Sequence, residues 1–209
     1  MQRKIEIQRR FWNPVYDRLA WLYDGVDWFT FNTTQRLRMP ALEVLPPPPA
    51  RVLEVGMGTG RLHAELAARG YAMAGLDLAP GMVRRTRRRL AERGLHSMLC
   101  VGSVYALPWP DASFDAILST FAFSAFADAD RALDEMVRVI KPGGCVVIVD
   151  AGEALDGNVM AHLLARTWEA MGDFMRDERP LLAARGLTVA RQDYGPWGCV
   201  HVTVGEHEA

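Results

Sequence analysis

The feature that most constrains the fold of this chain is a short apolar run that leads directly into a glycine-rich turn. Residues 53–60 read Leu-Glu-Val-Gly-Met-Gly-Thr-Gly, and seventeen residues after Gly60 a second apolar run ends in an acid, Asp77. Glycines at such a turn let backbone N–H groups and a helix N-terminus approach a ligand closely. A carboxylate at the end of the next strand can bind ribose hydroxyls. The pair therefore predicts a cofactor site at one edge of a parallel sheet.

The spacing of the glycines narrows the class of cofactor. The dinucleotide fingerprint places glycines at its first, third and sixth positions. Counted from Gly56, the third position is Gly58 but the sixth is Arg61, and the last glycine stands at the fifth position as Gly60. Taken without the rest of the chain, these residues are also compatible with an ordinary tight turn between a strand and a helix.

Short apolar runs alternate with helical patterns from Arg51 onward, which is typical of βαβ units around a parallel sheet. Parallel strands are expected near residues 51–56, 72–77, 97–101, 114–119 and 145–150. A helix over 130–140 should end at the Lys-Pro-Gly-Gly run 141–144, because proline cannot continue it and glycine turns the chain. A further helix is expected near 157–171.

The end of the chain predicts a β-hairpin. The runs 187–194 and 199–205 flank Gly-Pro-Trp-Gly, a turn-forming segment. The last strand should therefore run antiparallel to the others. The expected fold class is α/β, with a Rossmann-like, mostly parallel seven-stranded sheet and helices on both faces.

Composition excludes several classes of protein. A length of 209 residues suits one α/β domain, and a net charge of -1 gives no overall field that favours nucleic acid. The three cysteines are scattered without metal-ligand spacing, so no metal site is predicted. No run approaches the roughly 18 apolar residues of a membrane span, and the N-terminus lacks an apolar signal core. A cytoplasmic location is expected.

Four ordered motifs resemble those of the class I S-adenosylmethionine-dependent methyltransferases. The glycine turn 56–60 resembles motif I, and Asp77 resembles the acid of motif II. Residues 102–115 look like the motif III and IV region, and 138–144 resemble the turn after the next helix. The run 102–150 is especially similar to the ubiquinone/menaquinone-biosynthesis and phosphatidylethanolamine N-methyltransferase families. The resemblance implies a methyltransferase that uses S-adenosyl-L-methionine.

The same resemblance assigns roles to individual residues. The glycines would hold the amino-acid moiety of the cofactor, and Asp77 its ribose. Ser103 stands where family members commonly carry an acid that contacts the adenine, so we expect weaker or differently placed adenine contacts, or contacts from the backbone alone. The residues predicted to bind the cofactor are Glu54, Gly56, Gly58, Gly60, Asp77, Leu78, Met82, Ser103, Val104, Thr120 and Phe121.

The N-terminal segment is rich in aromatic side chains. Eight aromatics lie between residues 11 and 31, and the run 16–24 resembles the Tyr-Asp repeat that precedes the core in these families. The predicted catalytic residues are Tyr16, Tyr23 and Asp24, where Tyr23 or Asp24 would take a proton from an amine acceptor. Residues 1–45 are predicted to form a helical aromatic lid, and 51–209 the methyltransferase domain. The alternatives are a helix packed on the core and peripheral contact with the inner membrane surface.

Three further features outside these motifs carry expectations. His63 follows the glycine turn and should lie near the cofactor carboxylate or be exposed. His162 and Arg166 should share an exposed polar helix face opposite Leu163 and its apolar neighbours. The arginines between positions 84 and 93 surround most of a helix, so a solvated helix is favoured over a surface that binds anions.

The main functional prediction is methyl transfer to an amphipathic or lipid-like acceptor, such as the amine of phosphatidylethanolamine. A quinone-precursor C-methyltransferase and a small-metabolite methyltransferase are the alternatives within the class. A nicotinamide-dependent oxidoreductase is disfavoured by Arg61 and by the absence of a Tyr-x-x-x-Lys pair. A module that binds the cofactor without catalysis is the third reading, and the oligomeric state is left open.

Overall fold

A computed structural model of the protein describes residues 33–208. Seven strands form one sheet in the order β3-β2-β1-β4-β5-β7-β6. Pairing is parallel from β3 through β5, whereas β7 runs antiparallel to both of its neighbours. The predicted fold class is confirmed. The strands are β1 Arg51–Val55, β2 Ala72–Asp77, β3 Met98–Val101, β4 Phe114–Thr120, β5 Ile140–Ala151, β6 Thr188–Tyr194 and β7 Val200–Glu206.

Helices cover both faces of the sheet. Leu53 and Val55 of β1 contribute to a core cluster on the face covered by α5, while Val52 packs on the opposite face with α3 and α6. This alternation follows from the two-residue period of a strand. The helices are α1 Thr33–Arg38, α2 Ala41–Val44, α3 Arg61–Ala68, α4 Pro80–Glu92, α5 Ala129–Val139, α6 Val159–Met171 and α7 Arg179–Ala183, with 3₁₀ turns at Phe123–Ala125 and Pro196–Gly198.

Local chemistry sets the ends of two of these helices. The side chain of Asp128 caps α5 by accepting a hydrogen bond from the Arg131 backbone, and Asn158 caps α6 in the same way. Gly172 ends α6 in the left-handed conformation that glycine adopts without strain. The predicted helix 157–171 is therefore confirmed apart from its first two residues.

The Lys-Pro-Gly-Gly run behaves differently from the prediction. It was expected only to end the preceding helix, but α5 already ends at Val139 and β5 begins at Ile140. The register of β5 against β4 shifts between Phe114 and Ala116, so the run forms an irregular start to the strand. Lys141 anchors it through a 2.6 Å ion pair with Asp115 of β4.

Helix α6 exposes Leu163, which was expected on the face opposite its polar residues. His162 and Arg166 are exposed, as expected, but Leu163 is exposed as well, because it lies only about 60° around the helix from Arg166. Ala161 and Ala165 form the packed face instead. Within residues 33–208, no helix combines the length and the apolar character that a bilayer-spanning helix needs.

Candidate active site

The carboxyl edge of the sheet has a switch point where the strand order reverses. After β1 the chain proceeds outward through β2 and β3, and it then returns to place β4 on the other side of β1. Ligands of open α/β sheets bind in the crevice outside this point. The glycine turn of residues 56–60 follows β1 directly and so lies at the mouth of the crevice.

The three glycines of the turn serve different purposes, although all have positive φ angles. A Cβ atom on Gly56 would lie 2.5 Å from Cβ of Ala122, and one on Gly60 would lie 2.4 Å from Cγ2 of Thr86. These two glycines allow close packing within the protein. A Cβ atom on Gly58 would meet nothing within 4 Å, so Gly58 presents its backbone to open space. Of the three, Gly58 is therefore the one with open space in which a ligand could approach its backbone, which we call the ligand cradle.

This difference predicts different outcomes for two alanine substitutions. Gly60→Ala should lower the free energy of unfolding by about 2–4 kcal/mol, because the new methyl group overlaps Thr86 in addition to straining the backbone. Gly58→Ala should cost only the backbone strain, roughly 1–2 kcal/mol, but should weaken cofactor binding. Urea unfolding and calorimetric titration measure the two effects.

Gly94→Ala is the matched control, since Gly94 also has a positive φ angle and open space but lies at the end of α4. It should share the strain of Gly58→Ala and leave cofactor affinity unchanged. Equal losses of affinity in the Gly58 and Gly94 variants would rule out a special role for Gly58.

Asp77 joins the end of β2 to the glycine turn. Its carboxylate accepts hydrogen bonds of 2.9 Å from the backbone N–H groups of Gly58 and Ala79. The side chain is partly exposed at the crevice. Burial raises the pKa of Asp77 above its ordinary value, the nearby Glu54 carboxylate raises it further, and the backbone hydrogen bonds oppose both. The carboxylate is thus held rigidly beside the cradle, where it can also accept hydrogen bonds from a ligand.

The side of the crevice beyond Asp77 is apolar. Leu78 at the end of β2 is 60% exposed, and Val101 at the end of the adjacent β3 is 55% exposed. Exposed apolar side chains at the ends of neighbouring strands form a surface that a planar base can cover. Met82 and Val104 are buried, and the Ser103 hydroxyl accepts a 3.3 Å hydrogen bond from the Tyr105 backbone. Their assignment to the adenine stays a prediction.

Glu54, which was predicted to bind the cofactor, is buried against a histidine, and its contact with the cofactor stays a prediction. The side chain is 1% exposed, and Oε2 lies 3.0 Å from Nδ1 of His63 in the first turns of α3. His63 is fully buried, which excludes the exposed position expected for it. Its Nε2 lies 2.7 Å from Oγ of Ser97, whose hydroxyl donates to the carbonyl of Met73. The pair therefore ties the strand before the glycine turn to the helix after it.

The other half of the carboxyl edge belongs to β4 and β5. Thr120 is buried at the end of β4, and Phe121 follows it with a left-handed backbone, φ 51°. Phe121 donates a 2.7 Å backbone hydrogen bond to Val149, and the next residue, Ala122, touches Gly56. A bulky residue in this conformation is strained and often marks a functional site. The structure thus brings Thr120 and Phe121, both predicted to bind the cofactor, next to the glycine turn.

A buried polar network around Asp150, which was not predicted from the sequence, supports the β4–β5 half of the carboxyl edge. The carboxylate of Asp150, at the end of β5, accepts hydrogen bonds from the backbone N–H groups of Ser124 and Ala151 and from the Ser124 hydroxyl. His201 of β7, its register partner, lies 3.1 Å from a carboxylate oxygen of Glu178. The available signal was an acid at the end of a buried strand, the same signal that identified Asp77.

Asp150 makes stability depend on pH. Burial raises the pKa of Asp150 from about 3.8 to about 6, with the Glu178 carboxylate adding to the rise and His201 and the hydrogen bonds opposing it. The folded state therefore holds the proton more tightly than the unfolded state. Stability contributed by this group is fully present below about pH 4 and is lost as the pH rises through about 6, a difference of about 3 kcal/mol. Asp150→Asn should therefore reduce the fall in the free energy of unfolding between about pH 4 and pH 6.

Urea unfolding between pH 4 and 8 measures the effect. Asp115→Asn is the opposing control, because burial raises the pKa of Asp115 but the ion pair with Lys141 and the Arg51 backbone hydrogen bond outweigh it and lower the value. The Asp115 carboxylate contributes to the free energy of unfolding at higher pH and loses that contribution as the pH falls, so Asp115→Asn should lose stability mainly at the higher pH values. If the free energy of unfolding of Asp150→Asn depends on pH as it does in wild type, Asp150 is not the source of this pH dependence.

Tyr16, Tyr23 and Asp24 lie outside the described residues, and their catalytic role stays a prediction. Among residues 33–208, no group of three or more His, Cys, Asp and Glu side chains could hold a metal ion.

The described residues fit a nucleoside cofactor with an amino-acid tail. The open cradle at Gly58, the fixed carboxylate of Asp77 and the apolar surface at Leu78 and Val101 follow one another along the crevice. A Cβ atom at Gly58 would project into the cradle that the tail needs. The arrangement matches the order of amino acid, ribose and base.

Comparison with known proteins agrees with this site. A family model described as a methyltransferase domain matches residues 53–148. A demethylmenaquinone methyltransferase of Thermus thermophilus is 37% identical over 140 residues, which cover 66% of this chain and 61% of that protein. A malonyl-[acyl-carrier protein] O-methyltransferase of Methylococcus capsulatus is 35% identical over 198 residues, or 89% of this chain and 69% of that protein.

A phosphatidylethanolamine N-methyltransferase of Cereibacter sphaeroides is 38% identical over 102 residues, which cover 48% of this chain and 50% of that protein. The chain thus spans between half and about two thirds of the length of these relatives. Among solved structures, an S-adenosylmethionine-dependent methyltransferase of Thermotoga maritima superposes with a TM-score of 0.72 at 20% identity, over 93% of this chain and 99% of that one.

Proposed function

The chain belongs to the class I S-adenosylmethionine-dependent methyltransferases, and from this premise we propose that its acceptor is amphipathic, with a polar reacting group on an apolar body. Methyl transfer from S-adenosyl-L-methionine is the activity of the family. The identity of the acceptor is the proposal, and the amine of phosphatidylethanolamine and the ring carbon of a quinone precursor are its two candidates.

The observation that carries the proposal is an exposed apolar surface beside the β4–β5 half of the edge. The chain leaves the carboxyl end of β5 at Ala151 and reaches α6 through residues 152–158. A Cβ atom on Gly198 would lie 3.1 Å from Ala154, so the Pro196–Gly198 turn touches this loop. The exposed apolar residues here are Leu155, Val159, Met160, Leu163 and Trp197. An apolar tail could lie along them while its polar head enters the edge of the sheet.

Methyl transfer requires little of the protein beyond holding the acceptor and the cofactor in the right relative position. When bound, the cofactor supplies a methyl group already activated by its sulfonium. Holding the acceptor in line with that methyl group can contribute several kcal/mol, up to roughly 7–11 in ideal cases. Gly58 and Asp77 would hold the cofactor, and the rigid Phe121 segment would orient the acceptor. Apolar walls keep water out of the reaction.

The names of the relatives are compatible with this acceptor class but differ in the atom that is methylated. A quinone ring, a carrier-bound carboxylate and a phospholipid amine occur among them. The shared element of the quinone and the phospholipid is a polar head on a long apolar carrier. A small-metabolite methyltransferase would not need the apolar surface beside α6.

A labelled-methyl transfer assay tests the proposal. Vesicles of phosphatidylethanolamine, a reduced demethylmenaquinone and a panel of small polar amines and acids are each offered with labelled S-adenosylmethionine. Transfer to either amphipathic acceptor is expected, and replacing Val159 and Leu163 with serine should raise its KM. Transfer confined to the small polar compounds would overturn the proposal.

A cytoplasmic location, the division at residues 45 and 51, and contact of the N-terminal segment with the inner membrane surface remain predictions. Flotation with phosphatidylethanolamine vesicles tests the contact directly. Vesicles that leave the protein at the bottom of the gradient at low salt would argue against it.

A further inference from the structure

Arg38 occupies an unusual environment at the end of α1. Its guanidinium carbon lies 5.5 Å from the centroid of the Phe121 ring. The Nε atom is buried and has no hydrogen-bond acceptor among residues 33–208. One turn earlier on the same helix, the amide oxygen of Gln35 is likewise buried without a donor in the described part of the chain. Buried polar groups of this kind are rare and call for an explanation.

Three other arginines in the described part of the chain each have a carboxylate beside the guanidinium, which Arg38 lacks. Arg138 pairs with Asp111 and Glu135, Arg185 pairs with Asp130 and Asp134, and Arg191 pairs with Asp193. Burying an unpaired charge is costly, so partly buried arginines normally have an anion beside them. Within residues 33–208, Arg38 has no such carboxylate.

The position of Arg38 relates it to the transfer site. Phe121 beneath it directly follows β4, and the neighbouring Ala122 touches Gly56 of the glycine turn. On its other side, α1 is held by the Tyr194 hydroxyl, which donates a hydrogen bond to the carbonyl of Leu37. The guanidinium therefore lies over the segment that joins the end of β4 to the glycine turn.

We propose that Arg38 binds an anionic oxygen, of a carboxylate or a phosphate, on a molecule seated over Phe121. The amide oxygen of Gln35 is available to a donor on the same molecule. The planar guanidinium suits this role, because it can stack on the ring and present paired N–H groups to an anion at its edge.

Two molecules could supply the anionic oxygen. One is the α-carboxylate of the cofactor, and the other is an anionic group of the acceptor. The first source depends only on the family's cofactor, whereas the second rests on the proposed function. The experiment separates the two sources.

Calorimetry on the full chain compares wild type with Arg38→Gln, Arg38→Lys and the matched control Arg36→Gln. Arg36 is exposed and lies two residues earlier on the same helix. The first arm titrates S-adenosylhomocysteine, which carries the carboxylate, and 5′-methylthioadenosine, which lacks the amino-acid part. The second arm titrates hexanoate, hexyl phosphate, hexanol and inorganic phosphate into the complex with S-adenosylhomocysteine.

If the cofactor supplies the anion, Arg38→Gln should weaken S-adenosylhomocysteine at least tenfold and leave methylthioadenosine unchanged. If the acceptor supplies it, S-adenosylhomocysteine affinity should stay the same, while the preference of the complex for hexanoate or hexyl phosphate over hexanol should disappear. Inorganic phosphate shows whether the alkyl chain is needed. Arg38→Lys should retain part of either effect.

Arg38→Gln that behaves like Arg36→Gln in both arms overturns the proposal, provided that the melting temperatures of the two variants agree. Failure of the proposed acceptor class has a different signature. Methyl transfer to amphipathic acceptors would then be absent from wild type, while the first arm would still report on Arg38.

Discussion

Replacing Asp77 with alanine is expected to weaken the binding of S-adenosylmethionine by more than tenfold and of the order of a hundredfold. The substitution removes a charged acceptor for ribose hydroxyls, and hydrogen bonds to charged groups contribute about 1.5–3 kcal/mol each. It also releases the backbone N–H groups of Gly58 and Ala79, which the carboxylate holds in place. The cradle would then lose both a ligand contact and part of its rigidity.

Two variants separate these contributions. Asp77→Asn keeps an oxygen that can accept one backbone hydrogen bond but removes the charge, so it should retain the glycine turn better than alanine does. Asp111→Ala removes an exposed acid before β4, at the opposite edge of the sheet from the crevice, and should leave affinity unchanged. Calorimetric titration with S-adenosylhomocysteine measures the affinity of the Asp77→Ala, Asp77→Asn and Asp111→Ala proteins. Affinity of the Asp77→Ala protein within twofold of wild type would exclude the ribose assignment.

The sequence sufficed for the fold because the fold depends on patterns within single elements. Each strand is a short apolar run, and glycine or proline marks the ends of elements. Examples are Gly60 before α3, and Pro142 with its glycines at the start of β5. The closeness of Gly58 and Asp77 was predictable for the same reason, since they follow the ends of neighbouring strands.

Contacts between elements were not predictable in the same way. Sequence gives no sign that Glu54 and His63, nine positions apart, turn toward each other under α3, or that Ser97 completes the arrangement from the far side of β2. A motif glutamate next to a cofactor turn suggests a ligand contact. Its actual partner depends on the depth and direction of a helix, which only packing determines.

Packing also distinguishes positions with the same pattern. The motif gives Gly56, Gly58 and Gly60 equal weight, but the neighbours Ala122 and Thr86 make two of them structural. Leu163 was expected opposite the polar face of α6, but it is exposed, because the side of the helix that carries Ala161 and Ala165 packs against the sheet instead.

The largest loss of stability is expected from His63→Ala, at about 3–5 kcal/mol in the free energy of unfolding. The Glu54 carboxylate is 1% exposed and has His63 as its side-chain partner, so alanine leaves a buried charge without compensation. A cavity the size of the imidazole ring adds to the cost. Urea unfolding of wild type and variant measures the difference.

His162→Ala is the matched control, because His162 also pairs with a glutamate, Glu153, at 2.8 Å but on the surface of α6. Exposed pairs contribute about 0–1 kcal/mol, so this variant should be nearly as stable as wild type. The double variant Glu54→Gln/His63→Ala then tests the mechanism, since removing the charge should recover part of the loss. If His63→Ala and His162→Ala cost the same, or if Glu54→Gln makes the His63 variant less stable still, the buried carboxylate is not the source of the loss. Recovery in the double variant would instead show that the motif glutamate acts through the helix that follows the glycine turn.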